Sequence, residues 1–257
     1  SEAVRALVGL TVLISGWEIV SLLVEPIKVP SPLVTFERLL ANLMYSAYLE
    51  TLGGGIRGYL PHVVHTSTSV LTAAPLGMVT GVLLGLAVSR AIKLSYLLAP
   101  SIEIARVIPP LAILPFFIMW FGYGPYSQFV ALVFYSALIL VINTIEAVRN
   151  VHPVYKQFAY SLGASHNRVF KDIIVRAIIP ELRGGIRVAF ALAWGIQVVI
   201  ELMGAPVGMG MVFSILIRLS AYPLIIGGII LITIAAVLVD QVVLIIMNYL
   251  TRWQPRG

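Results

Sequence analysis

The sequence predicts an all-α membrane protein with six transmembrane helices in a single domain over residues 1–257. Of its residues, 60% are hydrophobic and 11% are charged, and the mean hydropathy is +1.00, whereas soluble domains carry roughly 25% charged residues. A spanning helix needs about 20 mostly apolar residues. Six stretches satisfy this requirement, near residues 4–24, 61–89, 94–121, 126–148, 183–203 and 223–249.

The basic residues predict the side of the membrane on which each loop lies. Six alternating spans place both termini on one side, and that side holds 12 of the 17 lysines and arginines, against four on the other. Lysine and arginine accumulate in cytoplasmic loops. We therefore expect both termini and residues 149–182 in the cytoplasm. The net charge of +6 then reflects topology instead of nucleic-acid binding.

Three segments are predicted on the outer side. Residues 25–60 contain a turn at Pro30-Ser31-Pro32, followed by an amphipathic helix that ends before Gly53-Gly54-Gly55. A tight turn over 121–125 joins spans three and four. Residues 204–222 are predicted to form a glycine-containing loop, in which the backbone can adopt geometries that other residues resist.

The first part of the cytoplasmic segment reads as a short amphipathic helix. His152-Pro153 suits a helix start, because proline at the first helical position loses no hydrogen bond that the helix needs. Val154, Phe158 and Leu162 follow four residues apart, which predicts one apolar face. Gly163 stands where a helix ends in a left-handed cap.

Ser165 is suited to cap a second helix, which leads to a break at Pro180. The two helices would form a helix–turn–helix against the membrane face. An interfacial amphipathic helix that only rests on lipid is the alternative interpretation.

This segment resembles the cytoplasmic EAA loop of permease subunits of binding-protein-dependent ABC importers. The family pattern is Glu-Ala-Ala, three residues, glycine, nine residues, and an aliphatic stretch with proline. Ala159 and Gly163 keep that spacing, and Pro180 matches a second proline of one branch. Gln157-Phe158 replaces the usual Glu-Ala, and Arg176 stands where many members have the first proline.

Other segments are similar to the nitrate, sulfonate, taurine and bicarbonate branch of that family. They extend over nearly the whole chain and comprise Lys28–Pro32, Arg106–Ala112 with Pro115, Trp120–Gly124, Asn143-Thr144, Leu162–Ser165 and Glu201–Ala205.

The resemblance implies a type I ABC importer permease with a cytoplasmic coupling helix, a multi-pass protein of a bacterial or archaeal plasma (inner) membrane. Two permease subunits, identical or sister chains, would form the pathway in the lipid. An extracytoplasmic binding protein would deliver a small solute, a small oxyanion or sulfonate such as nitrate, bicarbonate, an alkanesulfonate or taurine. The chain lacks the G-x-x-x-x-G-K-[ST] phosphate loop. An ATPase would therefore be another chain; the resemblance implies two ATPase subunits that bind ATP and Mg, whereas this chain would be no enzyme and need no cofactor.

Two groups of site residues follow. The resemblance implies that the ATPase docks on the EAA segment, through Tyr155, Gln157, Phe158, Ala159, Leu162, Gly163 and Ala164. Candidate residues of the translocation pathway are Glu103, Arg106, Pro109, Trp120 and Glu201.

Ionisable side chains within spans usually face a bundle interior or a water-filled cavity. The guanidinium of Arg106 suits an oxyanion, but an internal ion pair with Glu103 or Glu201 is an equal alternative. Asp240 reads as a packing or lipid-boundary residue without a function.

Small and proline residues predict how two spans pack. Gly77, Gly81 and Gly85 recur every four residues in span two, a pattern that permits close helix approach, and we expect it to act within the subunit. Pro109, with Pro110 and Pro115 after it, is expected to kink span three and free backbone carbonyls, through a simple kink or a solute contact.

The sequence contains few residues that would indicate a metalloprotein, a disulfide-stabilised protein or a different kind of transporter. The chain has no cysteine, which excludes disulfides and thiolate metal sites. His62 and His65 are spaced for a metal but lack further ligands, so we expect a pair at the membrane interface. A stand-alone anion channel or secondary carrier is the alternative function, although no inverted repeat is evident.

Overall fold

The computed structural model describes residues 2–25, 28–51 and 58–252. Within these ranges every regular element is a helix, as the sequence predicts. The helices are α1 (Glu2–Leu23), α2 (Pro32–Ala41), α3 (Ala47–Thr51), α4 (Tyr59–Arg90), α5 (Ile92–Val107), α6 (Pro110–Phe121), α7 (Pro125–Asn150), α8 (Pro153–Ser161), α9 (His166–Arg168), α10 (Val175–Ile178), α11 (Leu182–Leu202), α12 (Met209–Arg218) and α13 (Tyr222–Leu250). A π-helical turn, Val169–Ile174, joins α9 to α10.

Four of the described helices, α4, α7, α11 and α13, are long and apolar enough to cross a membrane. They lie at the predicted spans two, four, five and six. Predicted span one corresponds to α1, whose apolar stretch Leu7–Leu23 is shorter. Most of the described α1 side chains are exposed, Leu22 and Leu23 by 76% and 80%, as expected of a helix that faces lipid or another chain.

Predicted span three is two helices instead of one kinked helix. α5 ends at Val107 and α6 begins at Pro110, and Ile108 and Pro109 between them have ψ angles of 119° and 127°. Both residues precede a proline, and the proline ring disfavours the helical conformation of the residue before it. Two consecutive prolines therefore break the span, whereas the single Pro115 is accommodated inside α6.

The segment predicted as an outer loop, 204–222, contains a helix. Gly208 has a φ of +121° and directly precedes α12. At ten residues α12 is too short to span a bilayer. The glycines that suggested a loop are confined to its start, and the following Met211–Ile217 run is apolar enough to bury one side of a helix.

The described chain folds into two compact units. One comprises the residues up to Thr66 together with Glu201–Ala235, and the other comprises Ser67–Ile200 and the residues from Ala236 onward. In the first unit, Leu39 of α2 packs against Gly227 of α13. The hydroxyl of Tyr59, which is fully buried, donates to the carbonyl of Leu224 over 2.7 Å.

The second unit is built on close packing between α4 and α7. A Cβ atom at Gly77, Gly81 or Gly85 would collide with α7, at Val133, Ala137 and Thr144 respectively. The predicted small-residue face therefore packs within the subunit. Val88 of α4 continues this packing with Val141 and Ile145, and Leu94, Leu98 and Ile102 of α5 pack on the same cluster.

An ion pair joins α11 to α13 in the second unit. Arg187 donates two hydrogen bonds of 2.8 Å, from Nε and Nη2, to the two carboxylate oxygens of Asp240. Their side chains are 46% and 30% exposed on the protein surface. Asp240, which was predicted to have no function, thus compensates a charge within a predicted span.

We expect Asp240→Leu to lower the apparent unfolding temperature, because it leaves the charge of Arg187 within a predicted span without this partner. The double variant R187L/D240L should recover most of that loss, since it removes both charges. Apparent unfolding temperatures in detergent of the wild type, both single variants and the double variant measure this coupling. Simple additivity of the two single effects would contradict it.

Candidate functional site

The predicted ATPase-coupling segment forms α8 with the expected ends. α8 begins at Pro153, and Nδ1 of His152 accepts a hydrogen bond from the Val154 amide. At the other end Gly163 has a φ of +79°. The Gly163 amide bonds to the Tyr160 carbonyl and the Ala164 amide to the Ala159 carbonyl, over 2.9 and 3.0 Å. This pair of bonds is the Schellman cap, so the predicted start and cap are confirmed.

The second part of the segment differs from a simple helix. Ser165 caps α9, as predicted, through a 3.4 Å bond from the Arg168 amide to its hydroxyl. The chain then widens into the π-helical turn Val169–Ile174 before α10, and the break at Pro180 follows. The apolar spacing of this stretch did not predict the π-helical turn.

The segment is anchored to the ends of α4 and α7. Ala159, Val169 and Phe170 are buried. Arg90, the last residue of α4, donates to Oδ1 of Asn167 over 2.6 Å, and its guanidinium lies 5.6 Å from the centre of the Phe170 ring. From the end of α7, the side-chain amide of Asn150 donates to the carboxylate of Glu181.

The opposite side of α8 presents an apolar surface. We call it the docking face; its side chains are Val154 (55% exposed), Tyr155 (62%), Phe158 (65%) and Leu162 (72%). The remaining predicted coupling residues lie around it. Gln157 and Gly163 are exposed or nearly so and Ala164 is half-buried, whereas Ala159 points into the segment's own core. Val154, Phe158 and Leu162 thus share the one apolar face that their spacing predicts, whereas Ala159 is buried and does not belong to that face; the coupling role of these residues stays a prediction.

Three pathway candidates lie along α5 and α6. Glu103 and Pro109 line a cavity of about 640 Å³ together with Ile104, Val107 and Ile108. Trp120 is 71% exposed and lines a second pocket of about 250 Å³ with Ile113, Phe116 and Phe117. The side chain of Arg106 lies outside the described part of the chain, so its candidate role stays a prediction.

Glu201, the remaining pathway candidate, is completely buried. Both of its carboxylate oxygens accept from the Thr66 hydroxyl, over 3.0 and 2.9 Å, and Oε2 also accepts from the Gly210 amide over 3.0 Å. Nδ1 of His65 lies 3.6 Å from Oε1. The carboxylate therefore holds the start of α12 in this structure and does not line an open cavity.

Thr66, which lies at the centre of these bonds, was not among the predicted site residues. Its signal was available: His62 and Thr66 are four residues apart near the start of predicted span two, so they share one face of α4. Gln128 and Gln197 were also missed. They are buried in the second unit, where Nε2 of Gln197 donates to Oε1 of Gln128 over 2.9 Å and links α11 to α7.

Comparison with known proteins agrees with these features. The chain is 28% identical over 248 residues to the taurine transport system permease protein TauC of Escherichia coli (strain K12), an alignment that covers 95% of this chain and 87% of TauC. It is 27% identical over 249 residues to the putative aliphatic sulfonates transport permease protein SsuC of Bacillus subtilis (strain 168), covering 95% and 85%.

A solved structure shares the fold. An inward-facing crystal form of the MetNI methionine ABC transporter matches with a TM-score of 0.65 at 17% identity, over 80% of this chain and 99% of that chain. This similarity supports the type I permease fold that the resemblance implied.

The model of one protein family matches residues 75–254, which include α5 and α6, the α8 segment and the end of α11. That family is described as the binding-protein-dependent transport system inner membrane component. The match extends over well over half of the chain. We therefore conclude that the chain is a member of this family, a permease component of an ABC transporter.

Proposed function

We propose that this permease forms one half of the translocation pathway of an ATP-driven importer for a small sulfonate or a related small oxyanion. The two permeases named for taurine and aliphatic sulfonates support the sulfonate, because they align with 95% of this chain. A second permease, identical or a sister chain, completes the pathway in the membrane, and an extracytoplasmic binding protein delivers the solute. Nucleic acid has no part in this assembly.

The docking face carries the proposal that ATP hydrolysis powers transport. Four large side chains on one short helix are each more than half exposed. Burying a Val, Leu or Phe side chain stabilises by about 1.5–3 kcal/mol, so this face gains strongly from a protein partner. The segment that follows α8 is joined to α4 by the bond from Arg90 to Asn167 and to α7 by the bond from Asn150 to Glu181. Such a surface suits a partner that exerts force through it.

Orientation supports a cytoplasmic partner. The predicted topology places α8 on the side that holds most basic residues. Two ATPase subunits, which bind ATP and Mg, would each dock on one permease there. The chain's lack of a phosphate loop agrees with this division of labour.

The break between α5 and α6 supports a pathway role for this pair. Non-helical backbone at membrane depth is tolerated only where it is buried in protein or lines a water-filled cavity. Ile108 and Pro109 have non-helical backbone, are exposed, and line the 640 Å³ cavity with Glu103. In the assembled transporter we assign this cavity to the pathway, with Arg106 and Trp120 on the same helix pair.

Reconstitution tests the proposal. The permease is incorporated into liposomes with its co-purifying ATPase and with the binding protein that delivers its solute, and uptake of labelled taurine, an alkanesulfonate, nitrate and bicarbonate is measured. We expect uptake of a sulfonate only when ATP and the binding protein are both present. Solute flux through the permease alone, without ATP, would instead establish the channel or carrier.

A further inference from the structure

Three consecutive backbone amides at the start of α12 bond to side chains of other helices. The Gly208 amide donates to Nδ1 of His62 over 3.2 Å, the Met209 amide to the Thr66 hydroxyl over 3.0 Å, and the Gly210 amide to Oε2 of Glu201. His62 and Thr66 belong to α4, and Glu201 belongs to the last turn of α11. We call His62, Thr66 and Glu201 the α12 anchor.

The anchor is buried and contains one carboxylate. Thr66 and Glu201 are completely buried and His62 is 6% exposed. Burying a carboxylate is costly unless hydrogen bonds compensate it, and here the Thr66 hydroxyl and the Gly210 amide supply them. The first amides of a helix lack partners within the helix and carry its positive dipole end. The negative charge therefore lies where α12 gains most from it.

The backbone of Gly208 completes the fit. Its φ of +121° is a backbone conformation that residues with a side chain rarely adopt. A Cβ atom at this position would also overlap the Glu201 carboxylate. Glycine at this position thus allows the backbone before α12 to pass in direct contact with the Glu201 carboxylate. The hydroxyl of Thr66 acts twice, since it donates to Glu201 and accepts from Met209, so its loss breaks bonds to two elements at once.

We propose that Glu201, with Thr66 and His62, is a positioning residue of the transport cycle, which fixes α12 to the adjoining ends of α4 and α11 so that the three move together. This inference rests on the proposed transport function. Alternating access requires helices such as α4 and α11 to change tilt, and packed clusters switch between discrete arrangements instead of deforming continuously. α12 is too short to span the membrane, and the anchor makes it follow those helices.

The absence of native cysteine allows a direct test. Val212, in the middle of α12, is completely buried, so a cysteine at this position in the assembled transporter reports release of the helix by its rate of reaction with a water-soluble maleimide. The test variant is Thr66→Val. Thr72→Val is the matched control, because its hydroxyl bonds to carbonyls of its own helix, those of Thr68 and Ser69.

We expect T66V to raise the labelling rate of V212C about tenfold or more, since it removes the partner of the buried Met209 amide and one of the donors to Glu201. ATP-driven uptake should fall about tenfold. Co-purification with the ATPase should be unchanged, and T72V should match the parent in every measurement. If T66V does not fold, Glu201→Gln is read in the same way, because it keeps the shape and removes the charge.

Two results would overturn the inference: unchanged labelling in the anchor variant, or faster labelling with undiminished uptake, which would make the anchor structural only. Failure of the proposed function is distinguishable. In that case the parent protein shows no ATP-driven uptake of its own, whereas the labelling rates still report whether Thr66 holds α12.

Discussion

Replacement of Gly81 by alanine is expected to abolish or severely reduce folded protein. The added Cβ would overlap the carbonyl oxygen of Ala137 and lie 2.9 Å from both the α-carbon of Ala137 and the β-carbon of Leu140. Two of these three atoms belong to the backbone of α7, which cannot move away by a change of rotamer as a flexible side chain can. Overpacking typically costs about 1–3 kcal/mol and occasionally more, and we expect the upper end because α4 and α7 would have to separate.

The matched control is Gly195→Ala. Gly195 also lies inside a spanning helix of the same unit, but a Cβ there meets nothing within 4 Å. Because alanine favours the helix more than glycine does, this variant should fold at least as well as the wild type. Yield of monodisperse protein and the apparent unfolding temperature are the measurements. Equal values for G81A and G195A would refute the close packing of α4 on α7.

Replacement of Phe158 by aspartate is expected to eliminate ATP-driven uptake while leaving the permease folded. Phe158 is 65% exposed at the centre of the docking face, so its removal disturbs little inside the chain. In a complex the aspartate would lose the burial of the ring and would have to be desolvated. These two costs together should weaken association with the ATPase about 100-fold or more.

Two control variants show whether the effect depends on the apolar character of Phe158 and on its position on the docking face. Phe158→Leu keeps an apolar side chain and should retain most of the activity. Tyr160→Ala truncates an aromatic residue on the opposite side of the same helix and also removes its 2.9 Å hydrogen bond to His166, and we expect it to retain association with the ATPase. Co-purification of the ATPase and solute-stimulated ATP hydrolysis are measured for each variant. Wild-type values for F158D would exclude the docking face as the site of coupling.

The sequence was most informative where one physical rule acted alone. Apolar length located spans two, four, five and six, and the four-residue repeat of Gly77, Gly81 and Gly85 correctly indicated packing within the subunit. The ends of α8 followed from His152-Pro153 and from the left-handed conformation at Gly163. In each case the deciding residues are neighbours in sequence, so local rules were sufficient.

The prediction was incomplete where distant residues decide the structure. Glycines made 204–222 look like a loop, but α12 forms there because side chains of α4 and α11 satisfy its first amides. In the same way, nothing local indicates that Thr66, 135 residues away, bonds to the carboxylate of Glu201, whose role in the pathway stays a prediction. The prolines at 109 and 110 suggested a kink, and their combined effect is a full break.

The close packing of α4 on α7 has a mechanical consequence. α7 leads directly into the α8 segment, and α4 reaches the same segment through Arg90 at its last residue. Three glycines hold these two helices at close range. If the ATPase docks on α8 as proposed, we expect a displacement of α8 to reach α4 and α7 together, as one packed pair of helices.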